Sequence, residues 1–234
     1  MIKRYFLAFT LTAGLLSCST LANLPGMSSI SEEEAAQGIR QALEQGVGRG
    51  ITTLNREDGF FGNLAYKILI PPDAAKIENT LRQVGMGSLA DRVIIQVNKA
   101  AESAVGAARP IFEDAIRQMT ITDAINIIEG SNDAATQYFR TKTTEKLVAA
   151  FLPIIKSSLD KFSATKYYAD MVGTYNSFPT TLNKLNPDLP SYVVGRAVDA
   201  LFDQVAQEEA NIRSNAAART TEILKKVFGW AARN

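Results

Sequence analysis

Seven apolar positions, Ala35, Ile39, Ala42, Leu43, Val47, Ile51 and Leu54, recur at helical intervals behind Ser31 and Glu34, whose spacing forms a capping box. Glu32 and Glu33 add negative charge near the positive end of the helix dipole. The pattern predicts an amphipathic helix, weakened by Gly46, Gly48 and Gly50. Residues 58–62 then read as a turn, and 66–70 as the one strand-like run, stopped by Pro71 and Pro72. A single strand cannot make a sheet. Further helical patterns cover about 73–84, ending at Gly85, and about 88–108, opened by Ser88 with Asp91 three residues later. Arg109 and Pro110 break and restart the pattern, Pro110 being suited to a first helical position. A short helix starts near 120–122 and stops at Gly130, and another runs from about 132 to 150 towards Pro153. An aromatic segment follows, then a loop at Asn186, Pro187 and Pro190, then helices at about 191–212 and 216–230. There is no internal repeat. The expectation is an all-α fold: one multi-helix domain over residues 31–234, of about eight to ten helices with at most one short strand-like segment.

The N-terminus carries a different pattern. Lys3 and Arg4 precede a twelve-residue apolar run, 5–16, that holds no charge. A permanent membrane span needs about 20 apolar residues, so residues 1–17 have the shape of a secretory signal peptide. The run ends in Leu15-Leu16-Ser17-Cys18, which resembles a bacterial lipobox: apolar at −3, small at −1, cysteine at +1. In this reading the Cys18 thiol takes a diacylglycerol before cleavage, and the freed amine takes a third chain. Three acyl chains at about 0.8 kcal/mol per buried methylene would hold the protein on a membrane through Cys18 alone. Ser19 stands where an Asp would signal inner-membrane retention, which favours the periplasmic face of the outer membrane. The alternative is cleavage after Thr20-Leu21-Ala22, which also satisfies small-x-small and leaves a soluble periplasmic protein. Residues 18–30 are the lipidated cysteine and a small, turn-prone tether that spans on the order of 20 Å.

Composition narrows the chemistry. The 234 residues include 25 Lys+Arg, 24 Asp+Glu, one Cys and no His. Losing Lys3 and Arg4 with the leader leaves 23 cations against 24 acids, a net charge of −1. Such a chain has no field for holding a phosphate backbone, so nucleic acid is not an expected partner. His/Cys zinc sites and Ser-His-Asp or Cys-His catalysis are excluded. Gly46, Gly48 and Gly50 are not a phosphate loop, because Ile51 occupies the third glycine position of G-x-G-x-x-G and no strand precedes them. No cofactor is expected.

Several phrases carry a family likeness: Asp58-Gly59-Phe60 with Lys67-Ile68 and Pro71; Asn98-Lys99-Ala100-Ala101-Glu102; Met119-Thr120 with Asp123-Ala124; and Ala134-Ala135-Thr136 with Tyr138-Phe139. The most distinctive is the C-terminal run of Glu208-Glu209, Ile212-Arg213, Asn215, Arg219-Thr220-Thr221 and Lys225-Lys226-Val227-Phe228-Gly229. Together they resemble the bacterial exported-protein family described as "domain of unknown function four-one-nine-seven", over nearly all of the chain after the tether. Ala216 stands where that pattern usually has Pro and Ala200 where it often has Gly, and both are helix-compatible. The resemblance implies placement and fold. It supplies no catalytic residue.

Candidate chemistry rests on carboxylates. Leu201, Val205 and Ile212 define an apolar stripe on which Glu208 falls, and a carboxylate facing a core must be paired or protonated. With Glu209, Arg213, Asn215 and Arg219 nearby, the favoured reading is a buried polar cluster that fixes the angle between the last two helices. Asn98 and Glu102 form a second, weaker pair, since Ile94, Asn98, Ala101 and Val105 share one face. Glu102 and Glu208 would be the acid and base of a carboxylate-based, glycan hydrolase-like envelope enzyme. The S-x-x-K matches at Ser158 and Ser163 lack their companion motifs. Phe162, Tyr167, Tyr168, Tyr175 and Phe178 either line a cleft or join the core, and Phe60 and Phe61 either meet a partner or plug it. The leading expectation is a non-enzymatic lipoprotein that binds or braces an envelope protein or glycan.

Overall fold

In the computed structural model of the chain, helix α1 (Glu32–Asn55) opens on the capping box that the sequence announces. The Ser31 hydroxyl accepts from the Glu34 amide at 3.1 Å, and the Glu34 carboxylate accepts from the Ser31 amide at 3.2 Å. The other Glu34 oxygen takes Lys226 at 2.7 Å. That lysine, and then the Ser31 amide, hold the Glu34 carboxyl below the usual range. The structure describes residues 30–83, 85, 87–177, 184–186 and 188–231. The leader, Cys18, the tether up to position 29, Phe178 and Pro187 lie outside the described residues.

All seven apolar positions of the α1 stripe are buried, and so are Gly38, Gly46 and Gly50. Those glycines lower intrinsic helix propensity, yet they are where other helices close on α1. A Cβ at Gly50 would stand 3.2 Å from the Cβ of Gln204, and one at Gly46 3.4 Å from that of Glu208. At Gly38 it would stand 2.6 Å from Val227 Cγ2. The glycine face is thus a packing seam for the last two helices.

After the turn at 56–63 come a short 3₁₀ turn (Pro72–Ala74), α2 (Ala75–Gln83), α3 (Gly87–Val105), α4 (Ala108–Arg117) and α5 (Ile121–Glu129). Then follow α6 (Ala134–Lys161), α7 (Ala164–Ser177), α8 (Leu189–Ser214), a second 3₁₀ turn (Ala216–Ala218) and α9 (Glu222–Ala231). The described residues therefore form nine α-helices and no strand, an all-α domain. The strand-like run 66–70 joins no sheet: the Tyr66 and Lys67 amides still donate to the Asn63 carbonyl in the preceding turn, and the Ile68 amide and carbonyl pair with a side chain on α3. Pro110 occupies the third position of α4 rather than the first, where a missing N–H is still harmless. Pro153 does not end α6. Leu147, Phe151, Ile155 and Leu159, all fully buried, anchor the helix on both sides of it and override the helix-breaking tendency. The last helix begins at Glu222 rather than near 216, because Asn215 caps the 3₁₀ turn, accepting from the Ala217 amide at 3.0 Å.

Helices α6 and α8 form the central pair, with α3 against α6 and α1 against α8. Phe112 of α4 meets Phe139 of α6 edge-on at 4.9 Å and Phe202 of α8 at 6.1 Å, joining three helices in the core. Phe60 is fully buried and plugs the bundle beneath the 56–63 turn.

Gly38→Ala should lower stability by about 2 kcal/mol, because Val227 is β-branched, sits in a helix and cannot swing aside. Gly195→Ala, with nothing within 4 Å of its added Cβ, should raise stability by about 0.5–1 kcal/mol. Urea unfolding of both variants checks the contrast.

Candidate functional site

Apart from Thr143, which bonds back to the Phe139 carbonyl within α6, the buried polar residues among those described collect in two places. The first is the junction of α5, α6 and α8. Glu209 lies on the heptad-like stripe Val198, Phe202, Val205, Glu209 and Ile212, so it, not Glu208, faces inward. Its side chain is 7 % exposed against 21 % for Glu208. The Glu209 carboxylate accepts from the Ala135 amide at 3.0 Å, the Thr136 amide at 2.9 Å and the Thr136 hydroxyl at 2.8 Å. Arg213 donates to it through Nε at 3.1 Å and Nη2 at 2.9 Å, and also donates to the Ile127 carbonyl at 2.7 Å. Arg219, also buried, covers the end of α8 by donating to the carbonyls of Ile212 at 3.0 Å and Arg213 at 2.9 Å. The cavity beside this cluster has a volume of about 20 Å³, room for roughly one water. No substrate fits there.

Of the five residues expected in the cluster, the structure brings together Glu209, Arg213 and Arg219. Asn215 is exposed and caps locally. Glu208 leaves the cluster altogether: it pairs with Arg49 of α1 at 3.2 Å, on the rim of an open polar depression with Gln45, Thr52 and Arg109. The expectation that Glu208 faces the core is corrected. It sits where Gly46 lets α8 approach α1, so its stem packs while its head stays in water.

The second place is α3 beneath the irregular segment 56–70. Asn98 is completely buried. Its carboxamide oxygen accepts from the Ile68 amide at 2.8 Å, and its nitrogen donates to the carbonyls of Ile68 at 2.8 Å and Ile94 at 2.7 Å. The amide of one side chain thereby pairs both backbone groups of Ile68, as a neighbouring strand would. One turn on, Glu102 accepts from the amides of Phe60 at 3.1 Å and Phe61 at 3.3 Å. Asn98 and Glu102 do act from one helix face, but on backbone. Glu102 and Glu208 share no partner, and each is engaged in its own contact.

A network that the sequence does not advertise fastens the same segment to α8. The Tyr66 hydroxyl donates to Asp203 at 2.6 Å and accepts from Gln204 at 2.7 Å and Gln207 at 2.8 Å. Burial, then the Asp203 contact, pushes the Tyr66 phenol up. Asp203 and Gln207 share a helix face, a local signal, but nothing local ties them to a tyrosine 137 positions away.

The aromatic segment divides. Tyr168 is buried, and that burial first, then the charges of Asp73 and Tyr192, pushes its phenol up to about 12. Phe162 and Tyr167 are exposed and line a cleft of about 580 Å³ between α3 and α7, with Arg92 and Gln96. Phe60 belongs to the core, while Phe61 is part-covered and carries Lys67 over its ring at 4.1 Å. Among the described residues there is no group of three or more Asp, Glu or Cys that could hold a metal ion, and no helix long and apolar enough to cross a membrane.

This is a class of helical scaffold in which buried acids and amides serve as substitutes for missing backbone partners. The chain belongs to the family described as "Protein of unknown function (DUF4197)", whose match covers residues 29–229. No curated protein and no solved structure matches it.

Glu209→Gln should cost about 3 kcal/mol in thermal unfolding, because it leaves Arg213 buried beside a neutral group, whereas Glu208→Gln should cost less than about 1 kcal/mol. The reverse order would contradict the assignment of the inward position. Asn98→Ala should destabilise by roughly 3 kcal/mol by orphaning the Ile68 amide and carbonyl, with amide exchange accelerating first at Ile68.

Proposed function

We propose that this protein is a lipid-anchored helical module at the periplasmic face of the outer membrane, where it binds or braces an envelope protein or glycan. One observation carries the reading: the chain's sole cysteine, Cys18, follows Leu15-Leu16-Ser17 at the end of a charged and then apolar leader. A first helix capped at Ser31, a short tether away, is consistent with a folded body hung from that point. With a net charge of −1 after processing, attachment would come from acyl chains and not from attraction to anionic lipid. A soluble periplasmic form would follow from cleavage after Ala22.

The binding or bracing role draws support from where the acids are spent. Glu209 has both oxygens committed to backbone amides and Arg213, and Glu102 holds two backbone amides on one oxygen, which favours a scaffold over an acid–base pair. A glycan hydrolase using Glu102 and Glu208 has less support, since Glu102 is occupied under the 56–63 turn and Glu208 is paired with Arg49.

Cells fed an alkyne-bearing fatty acid test the anchor. The parent chain should take up the label and sediment with membranes. Cys18→Ser should lose the label and appear in the soluble fraction at about tenfold higher level. An unlabelled parent whose mature chain begins at Asn23 by mass spectrometry would establish the soluble form instead.

A further inference from the structure

Helix α6 holds nine consecutive apolar residues, 147–155, between Lys146 and Lys156. The core takes only every fourth of them: Leu147, Phe151 and Ile155 are fully buried. On the opposite side Val148 (39 % exposed), Leu152 (37 % exposed), Ala149 and Pro153 form an apolar strip open to solvent. Four exposed charged side chains continue that strip, Lys142 and Glu145 before it, Lys156 and Asp160 after it. Among the described residues none of the four makes an ion pair within the chain. Lys146, one position off the strip, is paired with Asp114 at 3.3 Å.

We propose that this strip is a two-fold interface on which a second copy of the chain docks, α6 against α6 and antiparallel. The order of charges identifies the occupant. Along the helix it runs plus, minus, apolar, plus, minus. A two-fold axis crossing between positions 150 and 151 sets Glu145 opposite Lys156 of the second copy and Val148 opposite Pro153. It also sets Ala149 opposite Leu152, small against large, and brings Lys142 alongside Asp160. Parallel docking would instead place each charge against its own kind, which is unfavourable. The spacing agrees with one helical face: positions 145, 149, 152 and 156 advance by four, three and four residues, and the charged ends lie about 16 Å apart at 1.5 Å per residue. One helix crossing buries on the order of 1,000 Å² in total, the low end for a specific complex, so the dimer is weak and exchanging. The inference does not depend on whether Cys18 is acylated.

Two differently tagged full-length copies, co-expressed and recovered from detergent extracts, provide the test. Parent copies should co-purify. Glu145→Lys in both copies, or Lys156→Glu in both, should lower recovery about tenfold, by turning two attractive contacts into repulsive ones. Recovery should return in the double variant Glu145→Lys/Lys156→Glu, and also when one copy carries Glu145→Lys and the other Lys156→Glu. Leu152→Asp should abolish co-purification. Unchanged helical circular dichroism and melting temperature in each variant would keep a folding defect from imitating the result. Parent copies that fail to co-purify, or charge reversals without effect, would overturn the proposal. So would a Leu152→Asp variant that loses affinity for phosphatidylethanolamine/phosphatidylglycerol vesicles while its self-association is unaltered, since the strip would then be a lipid contact.

Discussion

The Glu209 carboxylate is the point on which the helical packing turns. Five hydrogen bonds reach its two oxygens, from the first turn of α6 and from Arg213. Helix α6 needs them because Asp133, at its N-cap position, makes no side-chain cap bond. Asp133 is turned instead to the Ser131 hydroxyl and the Gln137 amide, which hold its carboxyl below the usual range. The amides at the start of α6 are therefore capped from α8, some 70 residues later in the chain. Arg213 extends the connection to the last turn of α5, and Arg219 closes the end of α8. A buried ion pair of this kind contributes little net stability against an apolar replacement, but each member is costly to remove alone. What it fixes is register: α5, α6 and α8 can satisfy these groups in one arrangement.

The opposite problem arises at 56–70, a long irregular segment against a helical core. Buried backbone amides and carbonyls there have no helix or sheet to pair with, and leaving them open would cost about 1–3 kcal/mol each. Asn98 and Glu102 supply the missing partners from one face of α3, while Tyr66 reaches across to α8. The polar interior is thus a set of side chain-to-backbone contacts between segments distant in sequence. Local unfolding of the segment must break α3 and α8 contacts together, which couples it to the central bundle.

The same division explains what the sequence discloses. The capping boxes at Ser31 and at Thr120 with Asp123 are complete within four residues, and the α1 stripe repeats often enough to be read with its glycines. The extent of α6 past Pro153 depends on the burial of four of its own side chains against other helices, and no local rule contains that. The run at 66–70 has strand-like residues, yet the partner of Ile68 is a carboxamide 30 positions on. For the candidate site, the i,i+4 spacing of Glu209 and Arg213 signals a pair, while the apolar stripe drawn through Leu201 and Val205 points to Glu208. Two stripes one residue apart fit α8 equally well in isolation. The packing of α1 through Gly46 decides between them by bringing Glu208 to the surface.

On the proposed binding role, with the buried acids and amides occupied by backbone, recognition would fall to what the domain presents outside. Exposed apolar strips invite indiscriminate association unless something restricts what can lie on them. On α6 the restriction is electrostatic: a partner whose charges do not run in the opposing order would bring like charges together while trying to cover Val148 and Leu152. The chain itself, reversed, has the order that fits. Lys146 lies beside the strip, and its pairing with Asp114 directs its ammonium towards α4 and away from the match. Selectivity in that setting comes more from the penalty on wrong partners than from attraction to the right one.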